Sequence, residues 1–546
     1  MEDSRDLKIA RFSSCRGVSF EINSNRSSPF AIESPTKQER STGTWLWIPW
    51  TRNNSFKILP HPHAISPTRS RASSHFCDIN IDADDVELEF LSEVQDDIEK
   101  NQEKVKVIPK KEPKTKNTRL SIILLDQGFT VYKGLFMVCL TLNMLALGLS
   151  ASGHFPYAKS KATLFSIGNI LALILCRSEA FLRILFWFVV KTIGKPYVSL
   201  RIKTATTSFL QSVGGIHSGC GVSSIAWLVY SLVLTIKNND KTTSSSIILG
   251  VAFAILSLLT LSSLAAFPLL RHLHHNVFER IHRFSGWLAL ILLWLFIFLT
   301  ISYEPSSKTY NLTILKMVKT QESWFTLAIT ILIIIPWLSI RKVQVNVTTP
   351  SNHASIIKFE GGVKPGLLGR ISPSPLSEWH AFGIISDGKK DHMMLAGAVG
   401  DFTKSLVSSP PSHLWIRSVH FAGLPYLVNL YQKVLLVATG SGICVFLSFL
   451  LQKNEADVYL IWVAKDIEMN FGNEIKELVG KYSKEKVIIH DTAVSGRPNV
   501  AEISVNAAIN WNVEVVIVTS NPEGSRDVVR ACNKAKIPAF GPIWDS

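Results

Sequence analysis

Between residues 129 and 341 the chain carries six apolar runs, at 129–150, 162–190, 218–236, 246–268, 284–303 and 323–341. A helix needs about 20 apolar residues to cross a hydrocarbon core, and each run is of that order. Inside lipid every backbone amide must be bonded within its own segment, so such runs have to be helices. The expected fold therefore begins with a membrane α-helical bundle of six spans, in agreement with a mean hydropathy of +0.22 and only 18% charged residues. The second run is overlong and contains Arg177, Glu179 and Arg183. Charge in lipid is costly, so these groups are expected to face the bundle or pair there, and the run to bend or continue as an interfacial helix.

Loop charge sets the orientation. Lys191, Lys195, Arg201 and Lys203, then Arg271, Arg280 and Arg283, then Arg341 and Lys342 mark cytoplasmic loops, which puts both termini in the cytosol. The sequon Asn311-Leu312-Thr313 then lies outside, open to glycosylation, and Asn346-Val347-Thr348 lies inside and silent. The plasma membrane and the endoplasmic reticulum both fit. The net charge of +15 flanks the apolar runs, so the lipid bilayer and not nucleic acid is the expected partner. Seven cysteines without a C-x-x-C pair exclude a zinc site or disulfide framework, and Cys139, Cys176 and Cys220 read as buried thiols. Residues 1–118 have no sustained apolar period and no signal-peptide core; they read as a disordered cytosolic tail. The tail offers kinase-type serines at Arg69–Ser73 and Ser66-Pro67, and a tryptophan knot (Trp45, Trp47, Trp50) for a membrane surface or protein partner. It also contains an amphipathic helix candidate over 84–106.

The bundle, 119–342, gives way at Lys342 to alternating strands, read as a β-barrel over 343–431. Beyond it, the continuous apolar runs Val434–Val437, Val458–Val463, Val487–Ile489 and Val515–Val518 have the character of parallel strands, read as an α/β domain over 432–546. Thr439-Gly440-Ser441-Gly442 follows the first of these strands and precedes an apolar helix expected to start near Ile443. Glycines there let a pyrophosphate approach the amides of a helix start. The third glycine of G-x-G-x-x-G is absent, since residue 445 is valine.

The stretch Ser377–Ser386, Ser-Glu-Trp-His-Ala-Phe-Gly-Ile-Ile-Ser, lies just after the last apolar run and before this glycine loop. It resembles the Trp-x-His-Pro-Phe-Thr-Ile-x-Ser strand of the ferric reductase and NADPH oxidase superfamily, with Ala381 for the proline and Gly383 for the threonine. The resemblance implies a ferredoxin reductase-like module, a barrel for FAD plus an α/β domain for NADP or NAD, with Trp379, His380, Phe382 and Ser386 lining the flavin site. Gly400-Asp401-Phe402-Thr403 resembles the family's Gly-Asp-Trp-Thr, adding Gly400 and Thr403 to that site, and His420–Tyr426 stands where the family has Gly-Pro-Tyr-Gly. Gly496-Arg497-Pro498 resembles a turn near the nicotinamide nucleotide, where Arg497 either pairs with phosphate or is an exposed turn arginine. Where the family has Cys-Gly-Pro, this chain has Thr519-Ser520-Asn521-Pro522; the resemblance implies either that Thr519 or Ser520 takes part of the positioning role or that hydride transfer is slow. Trp544 either covers the flavin or nicotinamide ring or packs on the α/β domain.

The same family implies two haems held by histidines at two depths of two helices. Here His217 opens the third run with Tyr230 and Ser231 at the second depth, and His272, His274, His275 and His282 crowd one loop. A two-haem wire is not expected. The candidates left are a single haem at the inner face between His217 and one of His274, His275 or His282, or a basic interfacial helix. The pattern is closest to haem-ligand-poor fungal and plant transmembrane flavoproteins related to adenylate-forming reductases. It implies a membrane oxidoreductase passing electrons from NAD(P)H through FAD to a small-molecule acceptor. The alternative is a non-catalytic regulator built on the same module.

Overall fold

Apolar segments that must bond their own backbone become helices. In order they are α1 (Val131–Ala151), α2 (Ala162–Leu175), α3 (Glu179–Ile193), α4 (Leu200–Gln211), α5 (Gly214–Lys237), α6 (Ser246–Ala265), α7 (His275–Ser302) and α8 (Gln321–Leu338). The computed structural model describes residues 130–237, 246–304, 306–307 and 309–542, with the backbone of an antiparallel strand pair, Arg11–Ser13 and Ser19–Glu21. That pair lies in a unit of its own, Met1–Pro67, and the elements below belong to Thr68–Ser546. The expected helix at 84–106, the tail tryptophans, the kinase-type serines and Trp544 lie outside the described residues.

Among the described residues, five helices are long and apolar enough to cross a membrane: α1, α5, α6, α8 and the Val277–Ser302 part of α7. Leu142, Leu145, Leu264 and Ile291 stand exposed on their outer faces, as a lipid-facing surface requires. Inside the bundle, Asn143 Oδ1 accepts from Trp227 Nε1 at 3.0 Å and from Asn169 Nδ2 at 2.8 Å, tying α1 to α5 and α2.

The run expected as the second span, 162–190, is two helices. α2 stops at Leu175 and α3 begins at Glu179, with Ser178 Oγ accepting from Phe181 N at 3.4 Å as its cap. At about 1.5 Å per residue α2 alone reaches about 21 Å, short of the ~30 Å core. The ionic residues account for the break. Glu179 does not pair within the bundle; its carboxylate accepts from Arg370 Nε and, at 3.2 Å, from Arg417 Nη1, both in the sheet region beyond. Arg183 extends the same contact, donating to His420 O at 3.0 Å. Arg177 sits in the turn and makes no ion pair among the described residues.

Beyond α8 come β1 (Ile340–Gln344), β2 (Asn346–Ser351), β3 (Ala354–Glu360), β4 (Leu367–Ser372), β5 (His380–Gly383), β6 (Ile385–Ser386), β7 (Asp391–Gly397), helix α9 (Asp401–Ser408), β8 (His413–Arg417) and β9 (Phe421–Ala422). They pair antiparallel as two sheets, β6-β7-β3-β2 and β9-β4-β8-β1, with β5 also on β4. The hydrogen-bonded ladder is therefore not one continuous barrel. The chain crosses between the sheets at Ile384, where β5 ends on one and β6 begins on the other. Ile357, Ile371, Phe382, Ile385 and Leu395 fill the core between them. A 3-10 helix, Leu424–Leu430, leads into β10 (Lys433–Thr439), β11 (Asp457–Ala464), helix α10 (Ile467–Gly480), β12 (Val487–Asp491), helix α11 (Val500–Asn510), β13 (Val515–Thr519), helix α12 (Pro522–Lys534) and β14 (Ala539–Phe540). Val434–Val437 and Val515–Val518 are wholly buried, as strands covered on both faces must be.

Glu179 side chain is 14% exposed and its arginine partners 31% and 18%. Glu179→Ala leaves two guanidinium groups without their anion. A fully buried pair costs ~3–5 kcal/mol to break, and partial solvation reduces this to about 2 kcal/mol. Thermal unfolding in detergent is expected to show a clear drop in melting temperature, and an unchanged transition would mean the ion pairs contribute nothing to holding helix and sheet together.

Candidate functional site

The parallel sheet is ordered β12-β11-β10-β13-β14, so the chain winds one way from β10 and then returns to build on its other side. Such a reversal opens a crevice at the carboxyl ends of the two central strands, where open α/β sheets take ligands. β10 and β13 pair in register as far as Ala438 and Thr519. Just beyond, Thr439 Oγ1 and Ser520 Oγ meet at 2.7 Å across the crevice. The glycine turn leaves this edge as a 3-10 turn, Gly440–Val445, with Gly440 at φ +55° and its carbonyl accepting from Trp462 Nε1 at 3.0 Å. The helix expected near Ile443 is thus a 3-10 turn followed by the short Leu447–Leu451 helix. Opposite, Asn521 Oδ1 caps α12 by accepting from Gly524 N at 2.7 Å. Thr439, Gly440, Ser441, Gly442, Thr519 and Ser520 therefore share one edge.

β12 ends on the same edge two strands away, about 10 Å at the usual spacing. There the Asp491 carboxylate accepts from Asp466 N and Ile467 N, each at 2.8 Å, and from Ala493 N at 2.9 Å. Burial alone would raise its pKa, but these backbone donors together hold it below the ordinary carboxylate value. Arg497 follows on an exposed turn after Gly496, whose φ is +68°. Its guanidinium has no ion-pair partner among the described residues.

The antiparallel sheets bring β5 directly against the glycine turn. A Cβ placed on Gly383 would stand 2.7 Å from Val445 N and Cα, so only glycine fits where the resemblance places a threonine. Ser448 Oγ, just beyond the turn, donates to Ile384 O at 2.6 Å and accepts from Ser386 N at 2.9 Å. Ser386 Oγ is committed to the fold, donating to Asp391 O and accepting from Val363 N and Gly388 N. Phe382 points into the core. His380 is buried beneath Phe402, the two rings parallel within 8° with centroids 4.3 Å apart. Phe402 is only half-buried, so its far face is the one presented outward. Thr403 Oγ1 accepts from Val399 N and Gly400 N, both at 3.0 Å, and shapes the turn into α9. Trp379 is buried and lies under the Arg417 guanidinium at 4.8 Å. His420 is pushed down to about 4 by burial, with His392 and Arg183 adding to the effect, and so is neutral near pH 7.

The membrane end of this strand is held by α7. Arg283 donates to Leu376 O at 3.0 Å and Ser377 O at 3.2 Å, and Arg280 reaches Glu378 at 3.3 Å. Its neighbour His282 faces His217 of α5, ring centroids 6.3 Å apart. His217 Nδ1 bonds Leu173 O at 2.9 Å and His282 Nδ1 bonds Ser262 Oγ at 2.7 Å. Two imidazoles anchored through Nδ1 resemble metal-bound histidines. With both Nδ1 atoms engaged, the two Nε2 atoms are the ones that would hold a metal if one bound here. His274 is exposed, and the side chains of His272 and His275 lie outside the described residues. Neither Phe402 nor Asp491 was among the expected site residues. Phe402 could have been found as the aromatic of Gly-Asp-Phe-Thr, and Asp491 as an acidic residue closing an apolar strand.

A family model described as adenylate-forming reductase 03009, C-terminal domain, matches residues 424–546. Adenylate-forming reductases 06235 and 03009 of Coprinopsis cinerea are 33% and 32% identical over 441 and 440 residues, 80% of this chain and 42% of each relative. The chain is thus distantly homologous to these fungal reductases and spans about two fifths of their length. Among solved structures, the ferredoxin reductase in carbazole 1,9a-dioxygenase aligns at 13% identity and a TM-score of 0.29, covering 37% of this chain and 69% of that one. Ferredoxin-NADP+ reductase from Plasmodium falciparum aligns at 12% identity and 0.29, covering 37% and 95%.

Gly383→Ala and Gly383→Thr are both expected to destabilise, since the clash begins at Cβ. Overpacking of about 1–3 kcal/mol should appear as a lowered melting temperature, and a Gly383→Thr protein as stable as the parent would mean the turn does not seat on β5. Asp491 gives a pH signature. Its pKa is depressed in the folded state, so its stabilising share is full above the unfolded value near 3.8 and is lost as pH falls through the folded value. The stability gap between the parent and Asp491→Asn should therefore be constant near neutral pH and shrink in acid; a gap that widens in acid contradicts the assignment.

Proposed function

We propose that the chain is a membrane flavin-dependent oxidoreductase that takes electrons from NAD(P)H and passes them through FAD to a small acceptor. One observation carries this reading: the strand expected to face a flavin and the glycine turn expected to face a pyrophosphate are in van der Waals contact, at a sheet reversal. FAD would supply the step between two-electron hydride donation and reduction of the acceptor. The chain's own groups do the positioning. Gly440 and Gly442 admit a pyrophosphate, with Thr439 and Ser520 as hydroxyl donors beside it. Arg497 stands free on the same edge to meet a phosphate. The fit of a flavin ring is better on the outer face of Phe402 than on His380, whose ring Phe402 already covers. His380 then backs the platform, Trp379 braces the strand under Arg417, and Gly400 with Thr403 sets the turn that aims Phe402.

A second reading, a regulator that binds nucleotide without turnover, is favoured by the same closed contact. With Gly383 against Val445 the turn leaves no place for the hydroxyl that the resemblance puts beside the ring.

Absorption of the full chain in detergent separates the two. The enzyme reading expects flavin absorption bands, steady NADPH oxidation with added FAD, and a rise in KM for NADPH but not NADH in Arg497→Ala. Nucleotide binding without oxidation selects the regulator. Absence of both flavin and nucleotide binding sinks both readings. The same spectrum reports on His217 and His282: a haem band lost in His282→Ala would assign haem binding to this pair.

A further inference from the structure

Between the end of α7 and the start of α8 the chain makes a short hairpin, Tyr303–Glu304 with Thr309–Tyr310, and then one short helix, Ile314–Lys319. The sheets follow the other end of α8, so this connection lies at the opposite end of the bundle. No residue of the short helix is buried. Ile314, Leu315 and Val318 are 80%, 60% and 53% exposed. At helical spacing Ile314, Leu315, Met317 and Val318 fall on one side, and Lys316 and Lys319 on the other. An apolar side backed by lysines is the pattern of a segment lying in a bilayer surface.

The neighbouring surface says what covers that side. Trp324, Leu327, Ile331, Ile334 and Leu338 are exposed and recur every three or four residues along α8. Because α8 is long and apolar enough to cross a membrane, this stripe faces acyl chains. Its first residue is tied to the short helix, with Trp324 Nε1 donating to Val318 O at 2.8 Å. Tryptophan at the end of a span marks the level of the headgroups. The short helix therefore starts where the lipid-facing stripe stops. Its polar side matches that depth. Lys316 Nζ lies 3.7 Å from Glu304 and donates to Asn311 O at 3.4 Å, and Lys319 is exposed. Lysines on a polar side of this kind meet lipid phosphates while their stems follow the apolar surface.

We propose that Leu312–Lys319 is embedded in the lipid headgroup layer on the side of the membrane away from the sheets, with Ile314, Leu315 and Val318 in the acyl chains and the two lysines among the phosphates. Its occupant is lipid and not a second copy of the chain, because the apolar side continues a lipid-facing stripe and is bordered by cations. The sequon Asn311-Leu312-Thr313 is then pinned at the membrane surface, where a glycosyltransferase does not reach it. Asn311 N donates to the carbonyl of Ser302, the last residue of α7, at 2.7 Å.

The test replaces Leu315 of the full chain by the photo-crosslinking residue benzoylphenylalanine, in phosphatidylcholine bilayers, and identifies the adducts by mass spectrometry. The same probe in place of Ser307, exposed in the hairpin connection, is the control. Irradiation is expected to join lipid to position 315 in preference to position 307. Ile314→Asp with Val318→Asp removes the apolar side without touching a buried residue, and the lipid adduct at 315 is expected to be lost. A crosslink to a second copy in place of lipid, equal lipid adducts at the two positions, or an adduct unchanged by the two aspartates overturns the proposal. The parent chain made in a eukaryotic cell is expected to carry no glycan on Asn311. A glycan that disappears in Asn311→Gln overturns the proposal as well.

Discussion

One partly buried carboxylate ties the helices to two strands of the antiparallel sheet beside them. Glu179 opens α3 immediately after the break in the second apolar run, and it lies between Arg370 of β4 and Arg417 of β8. Both arginines have further work nearby. Arg417 covers Trp379, Arg370 donates to Trp379 O at 3.3 Å, and Arg370 also lies over Phe421 at 5.1 Å. Removing the anion would therefore loosen the root of β5 together with the junction. Charge that cannot remain in lipid thus does three things at once. It ends a helix, fastens a domain and aims the strand that leads to the candidate site.

Tension between a rigid root and a close approach governs the site itself. β5 is held at its membrane end by Arg280 and Arg283 of α7, and at its far end by Ser448 beyond the glycine turn. Between these anchors Gly383 lets the backbone of the turn come within contact distance. The crevice between β10 and β13 is open only because the sheet reverses there, and Thr439 and Ser520 bridge it from both sides. The site is consequently built from segments far apart in sequence, each held by something other than a ligand.

Much of this was legible from residue pattern, because period and length are local. Continuous apolar runs such as Val434–Val437 and Val515–Val518 became central parallel strands, and five long apolar runs became long apolar helices. What could not be read depends on partners distant in sequence. The second run read as one that bends or continues as an interfacial helix, but the partners of Glu179 were not legible, since nothing local to it announces Arg370 and Arg417, roughly two hundred residues on. Gly383 looked like the loss of a hydroxyl, and in space it is the position where Val445 needs room. His380 looked like a ring platform, while Phe402 covers it. Ser386 matched a motif, but its hydroxyl is spent on the turn from Val363 to Asp391.

The replacements at Gly383 and Phe402 are physically linked. Drawing the turn onto β5 removes the space a β-branched residue would fill, and it fixes Ser441 beside the end of β7, where a Cβ on Gly397 would stand 2.8 Å from its Oγ. β7 leads directly into the Gly400 turn and so to Phe402 over His380. A residue restored at 383 would push the turn outward, and the displacement would pass along β7 to the aromatic platform. The closed contact and the aromatic cover therefore form one mechanical unit. Gly383, the glycine turn, β7 and Phe402 thus form one chain of contacts from the strand to the aromatic cover.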